Sequence, residues 1–359
     1  MRPPARPPGL NSALRCGAAE RPGANDVNRM QKSALESIVT RGGAVESIHQ
    51  TAVVLISPDD QVAFSAGPVG TPWVARSALK PFQAVALVAS GALQKFTLGD
   101  AALALACASH SGQVEHLVAL RRFQAQVGVA ESDLQCGSHW PYHEPSRDAL
   151  LAAGETASAL TNNCSGKHTG FLAAALALEA GLDSYLDPGH PVQQLITGQL
   201  EDWLGRRDIS SAVDGCSAPT HQLTLTELAG LARRLIEGQD ALLAPQLAAM
   251  QAEPFLIAGS GRFDTAFMVQ LGDRAVSKEG AEGIQLIGLR DVSGEAWGLA
   301  LKVLDGSNRP KPQVALTVLA AHELLHPADL EALDSYYRPT YKNRQELEVG
   351  RLQTVIPEG

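Results

Sequence analysis

The chain has 359 residues, enough for two domains or one large one, and an apolar fraction of 45% that supports a sizeable core. Its net charge is −9 and no long basic run occurs, which argues against nucleic acid or an anionic membrane as the main partner. No uninterrupted apolar stretch of ~18 residues occurs, so no bilayer span is expected.

The chain opens on "MRPPARPPGLNSALRCGAAERPGANDVNR", rich in Pro, Gly and Arg and without apolar periodicity. It lacks the apolar core of a secretory signal. Its Arg-rich, acid-poor start has the composition of a transit peptide, but paired prolines oppose the amphipathic helix that such peptides need. We read residues 1–36 as a disordered extension, with Met30 open as an alternative start.

"AVESIHQTAVVLIS" and "QVAFSAG" flank "PDD", and β-branched residues around a turn signal predict a β-hairpin. "SALKPFQAVALVASGALQKF" has helical apolar spacing. "DAALALACASHSG" reads as a helix ending in a polar loop, and "QVEHLVALRRFQAQVG" as an amphipathic helix closed by glycine. "HTGFLAAALALEAG", "PVQQLITGQLEDWLG", "TLTELAGLARRLIEG" and "LAPQLAAMQAE" continue as helices. Strand character returns in "FMVQLG", "RAVSKEG", "GIQLIGLRD" and "WGLALKVLDG", followed by the helix "PQVALTVLAAHELLH" and a polar tail. No internal repeat is present.

Strands at both ends with helices between predict an α+β fold. One antiparallel sheet, built from N- and C-terminal segments and flanked by helices, carries a largely helical insert. Residues 37–350 are then one unit of two subregions, with 351–359 as a tail and a site at the seam.

Several short motifs hold chemistry-bearing residues. Ser77 and Lys80 in "RSALKP" share one helix face, and Pro81 puts them at a first turn. A desolvated Lys80 would serve as base for Ser77; the bland alternative is a capping serine with a solvated lysine. Ser109 lies in "CASHSG", a polar loop after an apolar segment, and Lys278 ends the run "VSK". Five cysteines, odd in number and widely spaced, predict a reducing compartment, and the cytoplasm is the expected location. Cys164 and Lys167 in "NNCSGKH", with Cys216 in "VDGCSAP", would suit zinc with an open position. Cys136, His139 and His143 are a competing set, and a buried structural cysteine is the third reading.

Together the motifs say more than any one alone. "RSALKPFQ", "CASHSGQVEH", "CGSHWP", "NNCSGKHTGFL", "HPVQQ", "DGCSAPTHQLTL", "AGSGRFDT" and "SKEGAEG" occur in one order. This order resembles the asparaginase II family, the Rhizobium-type L-asparaginases, from about Ile38 to about Leu319. The resemblance implies a fold like that of serine β-lactamases, penicillin-binding proteins and serine glutaminases. It implies two serine–lysine pairs, Ser77 with Lys80 and Ser109 with Lys278, and zinc on Cys164, Lys167 and Cys216. It also puts Arg76, His168 and Asp214 beside the substrate.

The expected activity is hydrolysis of L-asparagine to L-aspartate and ammonia by a cytoplasmic homodimer. Ser77 is the nucleophile, Lys80 its base, Ser109 and Lys278 relay protons, and zinc orders the substrate without being strictly required. The rivals are a glutaminase, a penicillin-recognising serine hydrolase and a non-catalytic zinc-dependent amino-acid-binding protein. Family members often have Gly at the position of Ser217, so a backbone that needs positive φ there would be strained.

Overall fold

A computed structural model describes residues 34–356. The strands are β1 (Leu35–Arg41), β2 (Ala44–Ile56), β3 (Val62–Ala66), β4 (Trp73–Val74), β5 (Ser211–Val213), β6 (Pro219–Leu223), β7 (Ala275–Gly280), β8 (Ile284–Arg290), β9 (Ala296–Val303), β10 (Thr340–Lys342) and β11 (Glu348–Val355). Eight of them form one antiparallel sheet in the order β10-β11-β1-β2-β9-β8-β7, with β3 on β2; β4, β6 and β5 make a small second sheet inside the insert. The predicted hairpin is β2 and β3, paired with Leu55 opposite Phe64.

The central strands are apolar on both faces because both faces are covered. Ala52, Val54 and Ile56 join one core with the helix Leu225–Glu237, while Val53 and Leu55 join another with the helix Lys311–Ala321. The first helix comes so close that a Cβ on Gly298 would lie 2.0 Å from the Ala229 carbonyl oxygen, and one on Gly288 2.7 Å from that of Ala232. These two glycines are register partners on β8 and β9, so together they make the groove for that helix.

Three expectations need correcting. "FMVQLG" is the end of a helix, Phe263–Leu271. A short apolar run fits either period, and here Phe263, Phe267 and Leu271, four residues apart, all enter the core beneath β7. The expected tail from residue 351 is strand as far as Val355. β11 pairs with β1, and its Leu352 is buried opposite Val39, so the sheet takes its last strand from a segment that reads as polar. β1 itself starts at Leu35, inside the assigned extension; the rest of that assignment, residues 1–33 with Met30, lies outside the described residues.

The insert between β3 and β7 is mostly helical. "SALKPFQAVALVASGALQKF" is broken into short turns: a 3₁₀ helix Arg76–Leu79, then Lys80–Gln83, Val85–Ala89 and Ala92–Lys95. The first of these packs on β7, which brings "RSALK" against "VSKEG".

Candidate active site

Lys80 is fully buried and reaches out of its helix to a loop 29 residues later. Its Nζ donates to the Ala108 carbonyl at 2.6 Å, to Ser109 Oγ at 3.0 Å and to the Asn163 carbonyl at 3.3 Å. Lys278 Nζ, from β7, donates to the same Ser109 Oγ at 2.9 Å and to the Glu279 carbonyl at 2.9 Å. One hydroxyl thus bridges two buried lysines that enter from opposite ends of the chain. The Ser109 loop is fixed by backbone bonds from Ser109 N to Ile257 O and from Ser111 N to Ala258 O, both 2.9 Å.

Ser77 takes part in none of these bonds. It lies on the wall of a cavity of about 470 Å³ shared with Ser109, Tyr142, Asn163, Arg262, Glu279 and Asn308. The first N–H groups of the Arg76–Leu79 turn have no acceptor within it, as at every helix start.

Electrostatics separates the members. Burial pushes the Lys278 ammonium down to about 7; Asp264 opposes this shift, while Lys80, Arg262 and Lys311 add to it. Burial also raises the Cys107 thiol to about 12, so this neighbour of both lysines stays protonated.

The residues assigned to substrate binding are not among those that line this cavity. Arg76 Nε donates to Asp214 Oδ1 at 2.6 Å, and Asp214 also accepts from Gly215 N at 2.8 Å, so the two occupy each other rather than the cavity wall. His168 is fully buried, with Nδ1 2.7 Å from the Tyr185 hydroxyl. It belongs to the layer behind the cavity. The charged groups on the wall itself are Arg262 and Glu279, paired with each other, with Lys311 Nζ 3.4 Å from Glu279 Oε2. "AGSGRFDT" and "SKEG" contain both residues, but nothing in their spacing reveals that a helix start and a strand meet at one cavity.

Cys164, Lys167 and Cys216 converge behind this wall. Gly166 lets the start of the Ser165–Ala177 helix pack against the Asp100–Cys107 helix: a Cβ there would lie 2.2 Å from the Leu105 carbonyl oxygen. Lys167 Nζ donates to Cys216 Sγ at 3.1 Å. Hydrogen bonding from Cys164 favours the Cys216 thiolate and in turn holds the Cys164 thiol protonated. Burial works against the charge on Lys167, but the two sulfurs and Asp214 raise its pKa overall. Burial lowers His168 to about 4, and its Nε2 has no hydrogen-bond partner among the described residues.

Two sulfurs and an amine are a donor set that fits a zinc ion with a fourth position left open. Among the described residues no group of three or more His, Cys, Asp and Glu is placed to hold a metal; this set has a lysine in the third place. The competing residues disperse. Cys136 Sγ donates to the Ala159 carbonyl at 3.6 Å, His139 bonds Trp140 O and Asn163, and His143 bonds Ser146. The turn holding Cys216 puts Ser217 at φ +68°, the left-handed backbone expected for a glycine position.

A family model described as L-asparaginase II matches residues 38–354. No curated protein matches the chain. Among solved structures, a β-lactamase from Sphaerobacter thermophilus DSM 20745 is 14% identical over 78% of this chain and 93% of its own, with a TM-score of 0.39. A class A β-lactamase from Bacteroides cellulosilyticus DSM 14838 is 12% identical over 87% and 96%, with a TM-score of 0.38. A Bacillus glutaminase is 11% identical over 77% and 91%, with a TM-score of 0.35.

Proposed function

The chain belongs to the L-asparaginase II family, and from that premise we propose that it hydrolyses L-asparagine to L-aspartate and ammonia through a serine activated by lysine. The observation that carries the mechanism is Ser109 Oγ held between Lys80 and Lys278 at the wall of a cavity that also presents Ser77.

Ser77 is the nucleophile because its hydroxyl faces the cavity free of the lysine bridge and sits in a first turn whose N–H groups stabilise the oxyanion. Ser109 is the relay. Lys278, whose proton burial loosens, draws a proton from Lys80 through the Ser109 hydroxyl. The freed Lys80 amine accepts the Ser77 proton as Oγ attacks the side-chain amide carbon. The proton returns to the leaving ammonia, and a water resolves the acyl-enzyme. Arg262 and Glu279 match the α-carboxylate and α-ammonium of a free amino acid, and binding exchanges their mutual ion pair for the substrate's two charges.

Cys164, Lys167 and Cys216 would hold zinc, with Lys167 giving up its proton to bind. When bound, the metal would supply an open coordination position that orders the substrate side of the site. The same reading makes the protein a cytoplasmic homodimer, tested by sedimentation and fractionation; no helix among the described residues is long and apolar enough to cross a membrane.

The test is ammonia release from asparagine and glutamine side by side, with and without chelator. One methylene separates the two substrates, worth ~1–3 kcal/mol in a pocket. Equal rates would make the enzyme a mixed amidohydrolase. Tight asparagine binding without any ammonia would make it a binding protein.

A further inference from the structure

Asp264 plays no part in the chemistry above, yet it is 2% exposed and heavily engaged. Its Oδ1 accepts from Ser277 Oγ at 2.7 Å and from Gln285 Nε2 at 2.7 Å. Its Oδ2 accepts from the Glu279 backbone N–H at 2.9 Å and lies 4.0 Å from Lys278 Nζ. The carboxylate therefore grips both chain neighbours of Lys278 on β7, and Gln285 beside them on β8. A buried carboxylate is a costly way to fill a core position, where an apolar side chain would pack as well.

The charges around Lys278 show what the cost supports. Lys80 faces it from the Lys80–Gln83 helix, Arg262 from the start of the Phe263–Leu271 helix, and Lys311 from the Lys311–Ala321 helix. The Cys107 thiol lies beneath, protonated, and the Glu279 side chain is spent on Arg262 and Lys311. Three cations press the proton off Lys278, and Asp264 is the carboxylate that holds it on. We propose that Asp264 is a positioning residue that sets the protonation balance of Lys278 through its charge and fixes the strand around it through its hydrogen bonds. The proposal rests on the reading that Lys278 serves amide hydrolysis, but its test does not need turnover.

The test is a pH titration of the full chain labelled with ¹³C at lysine Cε, in which the Lys278 signal is the one missing from Lys278→Arg. In the wild type this signal should titrate near neutral pH. In Asp264→Asn the midpoint should fall by about one unit or more, since an opposite charge at this range shifts a pKa by roughly 1–3 units. Ser277→Ala and Gln285→Met remove hydrogen bonds but no charge, and should leave the midpoint nearly in place. Should Asp264→Asn not fold, Asp264→Ser carries the same expectation, with a water on the vacated donors. An unmoved midpoint in the folded Asp264 variant, or an equal shift in Ser277→Ala, overturns the proposal. A wild type that releases no ammonia while its Lys278 midpoint still follows Asp264 would sink the proposed function and leave this inference standing.

Discussion

Arg76 Nε donates to Asp214 Oδ1 at 2.6 Å, joining residues 138 apart in the chain. Arg76 precedes Ser77, and Asp214 lies two residues before Cys216. One ion pair therefore ties the turn of the proposed nucleophile to the turn of the proposed metal ligand. Arg76 itself has φ +51°, a backbone that a side chain of its size enters only when its surroundings hold it there. Asp214→Ala should cost about 1.5–3 kcal/mol of stability, the range for a hydrogen bond to a charged group. It should lower kcat/KM by about 100-fold as Ser77 loses its placement. Thermal melts and steady-state kinetics on the same preparation check both, and full activity would show that the pair positions nothing.

Ser77→Ala should abolish ammonia release with the fold intact. Ser109→Ala should leave a residue of activity, reduced by about 10²–10⁴-fold, the range for a lost proton-transfer group. If Ser77→Ala keeps more than a few per cent of the wild-type rate, the roles of the two serines exchange.

The activity should rise with pH through about 7. Burial holds Lys278 near that value, and it can accept a proton only when neutral, so the active fraction falls about tenfold per unit below its pKa. Lys80→Arg should be inactive at every pH although it keeps the positive charge, because a guanidinium cannot act as a base. A flat profile of kcat/KM between pH 5 and 8 contradicts the role of Lys278.

The purified protein should carry up to one zinc per chain. Elemental analysis should find it lost in Cys164→Ser, Cys216→Ser and Lys167→Met, because each removes one of three protein donors. Chelation should raise KM for asparagine more than it lowers kcat, as expected for a metal that orders bound substrate. Full zinc in the two serine variants would refute the ligand set. A collapsed kcat at unchanged KM would make the metal a participant in the chemistry.

Ser217→Gly should stabilise the chain. Ser217 is exposed and has φ +68°, where a Cβ is penalised and glycine is not. Relief of about 1–2 kcal/mol is partly cancelled by the extra freedom of glycine in the unfolded chain. The expected result is a Tm higher by roughly 1–2 °C with zinc content unchanged. A lower Tm would mean that this turn favours serine for a reason other than its backbone.

The sequence by itself carried the local and repeating features. Period-3.6 patterns marked most helices, and apolar, β-branched runs between turn signals marked the central strands, because both follow from what meets a core. Ordered motifs, through the family resemblance, singled out Ser77, Lys80, Ser109 and Lys278 as candidates, together with Cys164, Lys167 and Cys216. β11 escaped notice because its polar alternation looks like a tail until β1 is there to pair with it. "FMVQLG" was misread because so short a mostly apolar run has no period of its own. Only the tertiary structure joined Lys80 and Lys278, 198 positions apart, on one hydroxyl, put Arg262 and Glu279 on the cavity wall, and set Asp264 beneath Lys278. It also gave His168 the Tyr185 hydroxyl and Asp214 the Arg76 guanidinium as partners. Such relations depend on where distant segments pack, and a side chain acquires its partner and its proton affinity only after that packing has removed the water around it.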